Sequence, residues 1–277
     1  MTYKKIWHKF AQSVAQLNFY LDSDIKIMTL SGFKVRNFLV TDASIRKVGP
    51  FDKVEIKFVK KDGCTPLASK TISKYLLDKR TIMGLNDKVL NFVFIKIDFE
   101  EFSSIPSLAL SDETGFDIGQ PIATLGYQLN QENLALKRGI ISSLCYCEGH
   151  QYIQVDTSVK VGNAGGPLIN VETGKVIGII GSKLTEISKS YRHLKEIMNK
   201  NIKLLNQYQG KYNFEDIDPF QVLIANQNQI KYIIKEIYKI ADAGVGYAIS
   251  AELIKNFIKE NIILEESASP DIEFTGF

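Results

Sequence analysis

A mainly β chain carrying an inserted pair of helices is predicted by three observations. Short β-favourable segments separated by turn signals fill most of the 277 residues, the pattern of an all-β barrel or sandwich. Lys53 to Val59 alternates strictly between apolar and charged residues, as a half-buried strand does. From Leu184 to Ile240 the period changes to that of helices, before strand character returns at Val245.

In chain order, Tyr3 to Gln12 places Ile6, Trp7, Phe10 and Ala11 at helical spacing, a short amphipathic helix lying on the outside of a barrel. Strands follow over Ser13–Tyr20, Asp24–Leu30, Gly32–Val35 and Phe38–Thr41, with a turn at Arg36-Asn37. Asp62-Gly63 is a hairpin signal. The apolar run Leu90–Ile97 reads as a barrel-wall strand. In the second half Gly119–Tyr127, Lys137–Leu144 and Tyr152–Val155 are strands, and Leu168-Ile169-Asn170 pairs with Gly174–Ile179 as a hairpin. The helical block has Leu184, Ile187, Tyr191, Leu194, Ile197, Met198, Ile202 and Leu205 on its first arm. Asp218-Pro219 supplies an N-cap and first-turn proline for the second arm. The division expected is 1–182 for the β body, 183–243 for the helical hairpin, and 244–277 for a closing strand, a C-terminal helix and a tail.

Composition restricts the function classes. Thirty-four basic against 31 acidic residues give a net charge of +3, too weak a field to argue for nucleic acid or a membrane surface. No apolar run approaches the roughly 18 residues of a spanning helix. The N-terminus lacks the apolar core and small-residue cleavage site of a secretory signal. Three cysteines do not make an even disulfide framework, and the compartment expected is the cytoplasm.

The stretch with chemical content is Asp156-Thr157-Ser158-Val159-Lys160-Val161-Gly162-Asn163-Ala164-Gly165-Gly166-Pro167-Leu168. Its glycines permit tight turns that aim backbone N–H groups at one point. A nucleophile needs a hydroxyl or thiol at the centre of such a loop, and Ala164 offers a methyl group. The stretch resembles the nucleophile loop of the trypsin-like serine proteases, D-x-x-x-x-x-G-N-S-G-G-P-L, with alanine in place of serine. Gly32-Phe33, Phe38–Thr41, Arg138–Ser142 and Gly246–Ile249 are similar, in the same order, to segments of the Deg/HtrA-type branch of that family.

The resemblance implies two six-stranded β-barrels with a cleft between them. No PDZ-like domain is expected after Ile263, and the block 183–243 has no recognised counterpart in that branch. The histidine position of the triad falls at Ser44 and the aspartate position at Asn91. Neither residue performs the missing role: serine takes up no proton near neutral pH, and asparagine carries no charge to stabilise an imidazolium. His8, His150 and His193, the chain's histidines, read as surface residues. The implied oxyanion loop is Gly162, Asn163 and Ala164. Ala164 is expected to face an open cleft beside Ser44 and Asn91. Peptide-binding positions fall at Ile180, Gly181, Ser182 and Ser158, where family substrates add as a β-strand.

Cys145-x-Cys147-x-x-His150 places two sulfurs on one face of a strand, and some viral members of the wider family hold zinc with such a pair. Tetrahedral zinc wants four ligands and only Cys64 remains, so ordinary strand cysteines and no metal or cofactor are expected. The functional expectation is an inactive protease homologue that binds a protein or peptide through its cleft, its hairpin or both, without nucleic acid or membrane. The alternatives are an active Deg-like endopeptidase represented by an inactivated Ala164 variant, and a structural subunit of a larger assembly.

Overall fold

The computed structural model describes residues 1–21, 24–83, 92–113, 115–128, 131–147, 150–159, 162–181, 186–212, 214–215, 217–240 and 245–262. The chain divides into two compact units, Met1–Ser182 with Gly244–Phe277 and Lys183–Ala243.

The first unit opens with α1 (Tyr3–Phe10), whose N-terminus is capped by the Thr2 hydroxyl accepting from Lys5 N–H. Ile6 and Phe10 are buried, and Trp7 Nε1 donates to the Lys61 carbonyl at 2.8 Å. Seven antiparallel strands follow. They are β1 (Val14–Tyr20), β2 (Lys26–Val35), β3 (Phe38–Asp42), β4 (Lys53–Val59), β5 (Pro66–Ser73), β6 (Thr81–Met83) and β7 (Phe92–Lys96), ordered β5-β4-β1-β2-β3-β7-β6. In β4 the side chains of Val54, Ile56 and Phe58 are fully buried while Lys53, Glu55 and Lys57 are half-buried, as the alternation requires.

The two segments expected around Leu30 form one continuous strand, β2. Its polar residues are buried and satisfied: Thr29 Oγ1 donates to Asn18 Oδ1 at 2.9 Å, and Ser31 is bonded into the loop described below. Helix α2 (Lys74–Arg80), between β5 and β6, starts at a Ser73 cap and buries Leu77. The family resemblance implied a six-stranded closed barrel here. Among the described residues the lobe is instead a seven-stranded sheet with β5 and β6 at its edges. One apolar cluster, drawing on Leu17, Leu39, Ile56, Ile72, Leu77 and Ile95, joins strands from across the sheet with α2.

The second lobe is a closed six-stranded barrel. Its strands are β8 (Pro121–Gly126), β9 (Ala135–Cys147), β10 (His150–Val155), β11 (Pro167–Asn170), β12 (Lys175–Ile180) and β13 (Gly246–Ser250), in the order β10-β13-β12-β11-β8-β9. Ile122, Ile141, Ile153, Leu168, Ile177 and Ala248 share its core. Helix α5 (Ala251–Phe257) leaves β13 at a Ser250 cap and continues into a wider helical turn over Ile258–Ile262. Phe257 stacks on Phe94 of the first lobe, with ring centroids 5.3 Å apart. The first unit is mainly β and two-lobed.

The second unit is α3 (Glu186–Asn206) followed by α4 (Pro219–Ile240). Pro219 is the first helical residue, where its missing N–H costs nothing. Asp218 Oδ1 accepts from Phe220 N–H at 2.9 Å, and Oδ2 from Gly210 N–H at 2.7 Å, which ties the turn to the helix start. The backbone N–H of Gly210 holds the Asp218 carboxyl below its usual range. The helices are antiparallel: Lys231 Nζ donates to Asn199 Oδ1 at 2.7 Å, and Tyr208 stacks on Phe220. The unit is inserted between β12 and β13. Those strands are neighbours in the barrel, so the insertion interrupts the sequence without opening the sheet.

Candidate functional site

Strands β10 and β11 hold the two ends of the loop 156–166. At its entry, Asp156 Oδ1 accepts the Ile140 N–H at 2.6 Å, anchoring the turn to β9. Its central turn is closed by Gly166 N–H donating to the Asn163 carbonyl at 3.0 Å. Gly162 and Gly165 adopt φ of 98° and 89°, which residues with a side chain resist. Packing adds a second constraint at Gly165. A Cβ there would stand 2.0 Å from the Ser31 carbonyl oxygen and 2.3 Å from Thr41 Oγ1.

The loop is thus pressed against β2 and β3 of the other lobe. Ser31 N–H donates to the Ala164 carbonyl at 3.0 Å. Ser31 Oγ donates to the Gly162 carbonyl at 2.6 Å and accepts from Tyr127 N–H at 2.8 Å. Thr41 Oγ1 donates to the Ser31 carbonyl at 2.6 Å. Ser31 and Thr41 were not singled out from the sequence, because a hydroxyl inside a strand carries no signal of its own. The clue available was a polar residue breaking the apolar run of β2.

Because Ser31 is fully buried, its hydroxyl has no water to replace these partners. Ser31→Ala is expected to leave Tyr127 N–H and the Gly162 carbonyl unsatisfied and to destabilise the fold by about 2–4 kcal/mol. The urea unfolding midpoint of the purified variant measures this.

Ala164 does not face an open cleft. Its residue is 6% exposed, and it belongs to the same apolar cluster as Ala43 and Ile45 of the first lobe. The correction has a physical cause: the bonds from Ser31 draw the loop onto β2, and a methyl group is at home against that core. Ser44 lies in the helical turn Ala43–Lys47 after β3, and its N–H donates to Asp42 Oδ1 at 2.8 Å. Its hydroxyl is buried and has no hydrogen-bond partner among the described residues. Thr41 and Asp42, beside Gly165, connect the turn bearing Ser44 to the loop bearing Ala164. Asn91 lies outside the described residues.

Of the oxyanion-loop residues, Asn163 is 3% exposed, and its Oδ1 accepts from Lys137 Nζ at 3.2 Å. The same ammonium donates to the Ser158 carbonyl at 2.6 Å, so Lys137 of β9 spans the loop from one arm to the other. Among the described residues no hydrogen bond occupies the N–H of Gly162 or of Ala164. Ser158 is half-buried and its hydroxyl is unpartnered among the described residues. Tyr127, fully buried beside the loop, has its phenol pKa pushed up by burial and secondarily by Glu132.

At the strand-edge positions the backbone N–H groups are paired internally. Ile180 N–H donates to the Gly166 carbonyl at 2.8 Å, and the Ile180 carbonyl accepts from Gly165 N–H at 2.7 Å. Gly181 N–H donates to the Tyr247 carbonyl at 2.9 Å. Internal pairing therefore occupies the N–H groups of Ile180 and Gly181. Ser182 lies outside the described residues.

Cys145 is on β9 with its Sγ 3.7 Å from the Tyr152 carbonyl, and Cys147 is in register with His150 across the turn. The Cys147 side chain lies outside the described residues. Cys64 is exposed in the β4–β5 turn of the other lobe. His8 is on α1 and His193 on α3. His150 begins β10, about 16 Å of strand away from Val155, where the loop starts.

Residues 68–179 match the trypsin-like peptidase domain family. The chain is 26% identical over 159 residues to a protein of Staphylococcus aureus (strain MRSA252) named "Serine protease HtrA-like", a match covering 52% of this chain and 20% of that protein. It is 30% identical over 105 residues to the "Probable periplasmic serine endoprotease DegP-like" of Halomonas elongata, covering 36% of this chain and 21% of that protein. The chain thus spans about a fifth of the length of the curated relatives it matches. Among solved structures, the HtrA-type protease AlgW with tripeptide has a TM-score of 0.57 at 16% identity, covering 95% of this chain and 64% of that one. The match to the trypsin-like peptidase domain family runs from β5 to β12 and includes the loop around Ala164, and the structural likeness is one of fold. Among the described residues no helix is long and apolar enough to cross a membrane.

Proposed function

We propose that this chain is a catalytically inactive trypsin-like protein that binds peptide or protein segments. The observation that carries the reading is Ala164: the loop around it is held in shape by Gly162, Gly165 and Ser31, yet its centre has a buried methyl group and no nucleophile. Ser44 at the histidine position has a buried hydroxyl that serves no base function near neutral pH. Among the described residues the N–H groups of Gly162 and Ala164 carry no hydrogen bond, and such donors suit a peptide carbonyl or a chain-terminal carboxylate. The helical hairpin is a second contact surface in this reading. A cytoplasmic setting goes with it, supported by the odd cysteine count and the exposed free thiol of Cys64.

Fluorescence anisotropy of labelled fragments of unfolded casein, followed by mass spectrometry of the same mixtures, tests the reading. Saturable binding with intact fragments is expected. Repeated turnover of the fragments by the chain as given would return it to the active endopeptidases. Absence of binding would favour the purely structural subunit.

A further inference from the structure

The hairpin has two edges of opposite character. On α3, Tyr191, Met198, Ile202 and Leu205 recur at heptad spacing; Met198 is buried and the others are half-buried. On α4 the corresponding half-buried stripe is Phe220, Ile224, Gln227, Lys231 and Ile234. These two stripes form the seam between the helices, as the Lys231–Asn199 and Tyr208–Phe220 contacts locate it. In an antiparallel pair, the residues one place before the seam positions on both helices border the same side of the seam. Those one place after border the other side.

The positions after the seam whose side chains are described are Asn199, Lys203 and Asn206 on α3, with Gln221, Ala225, Asn228, Tyr232 and Lys235 on α4, all exposed and all but Ala225 and Tyr232 charged or amide side chains. The positions before it include Ile197, Asn201 and Leu204 on α3, with Leu223, Asn226, Ile230 and Ile233 on α4, and Leu194 and Ile237 continue the same two rows at heptad spacing. The seven apolar members of this second set are each 40–57% exposed. One edge of the hairpin is therefore mostly polar, and the other is a two-ridged apolar face with no charged residue among its positions.

We propose that this face pairs with the same face of a second copy, so that two hairpins complete a four-helix bundle and the chain is a homodimer. This rests on the reading of the hairpin as a contact surface and names its partner. Three features select the second copy. The α4 ridge from Leu223 to Ile237 runs for about 21 Å beside its α3 counterpart, and another such pair of ridges is the surface that fills the grooves between them. The half-exposed apolar side chains offer several hundred Å², on the order of the ~800 Å² per partner of a standard interface. A two-fold interface sets a surface against itself, and a face without charge brings no like charges together.

Sedimentation velocity of the full chain between about 1 and 100 μM measures the association, in the concentration range of ordinary dimer affinities. The expected species is a dimer of the 31.2 kDa chain. Ile197→Glu with Ile233→Glu places charges in the face and is expected to weaken association at least 100-fold. The milder Ile233→Ser should weaken it in the same direction if the charged variant does not fold. Asn206→Glu with Asn228→Glu, on the mostly polar edge, should leave the dimer intact.

A monomer at the highest concentration would overturn the proposal, as would a dimer that persists in folded face variants or one lost equally in the polar-edge variant. Casein-fragment binding measured on the same samples keeps the two readings apart. A monomer that still binds fragments removes the dimer and leaves the peptide-binding reading standing.

Discussion

Gly165→Ala is expected to prevent the chain from accumulating as a folded protein, or to destabilise it by on the order of 4 kcal/mol or more. Two separate costs meet at this position. The left-handed backbone, with φ at 89°, costs a residue with a side chain about 1–2 kcal/mol. The added methyl carbon would also stand 2.0 Å from the Ser31 carbonyl oxygen and 3.0 Å from Asp42 N, backbone atoms that no side-chain rotation can move aside. Relief would require the loop to leave β2, breaking the Ser31–Ala164 and Ser31–Gly162 bonds on which its shape depends.

Gly119 provides the control, because its φ of 92° is nearly the same and nothing lies within 4 Å of the position its Cβ would take. Gly119→Ala should therefore show the backbone cost alone, about 1–2 kcal/mol. Urea unfolding of both variants separates the terms. Equal destabilisation would mean that the loop does not press on the first lobe as described.

The same residues show where the sequence was informative. Glycine is chosen where φ is positive or backbones approach, so Gly162 and Gly165 advertise a tight loop without any knowledge of its surroundings. Alternation at Lys53–Val59 and the helical period after Leu184 are likewise local, and β4, α3 and α4 follow from them. The run from Pro66 to Met83 gave no clear period because β5 is an edge strand, exposed or half-buried along most of its length, and α2 and β6 are short. Other features depend on residues far apart in sequence. That Ala164 is covered is decided by β2 and by the turn after β3, well over a hundred residues earlier. That the Ile180 N–H is consumed is decided by Gly166, in the same loop whose shape was expected from the family. The implied exposure of Ala164 was read from local motifs, whereas its burial is a matter of long-range packing.

Ala164→Ser is expected to restore no measurable proteolysis. In a working triad the base removes the serine proton as attack proceeds, and loss of nucleophile or base alone costs on the order of 10⁶ in kcat. The single revertant supplies the hydroxyl and no base. In the proposed reading Ser44 stands at the base position, and His8, His150 and His193 reside on α1, β10 and α3. The new hydroxyl would also enter a site that is 6% exposed within an apolar cluster, where an unpaired polar group costs about 1–3 kcal/mol. A lower urea midpoint than that of the parent chain should accompany the absence of cleavage.

Binding and oxyanion donors without a triad sustain a rate roughly 10³–10⁴ over water, below the reach of an ordinary protein-cleavage assay. Single-turnover cleavage of unfolded casein, with the parent chain, Ala164→Ser and the triple change Ser44→His, Asn91→Asp and Ala164→Ser, makes the comparison. The triple change returns the three chemical groups, and any activity it shows measures how far the surrounding packing still positions them. Robust cleavage by the single revertant, abolished by a serine-directed covalent inhibitor, would mean that another residue of this chain supplies the base, and the inactive reading would fall.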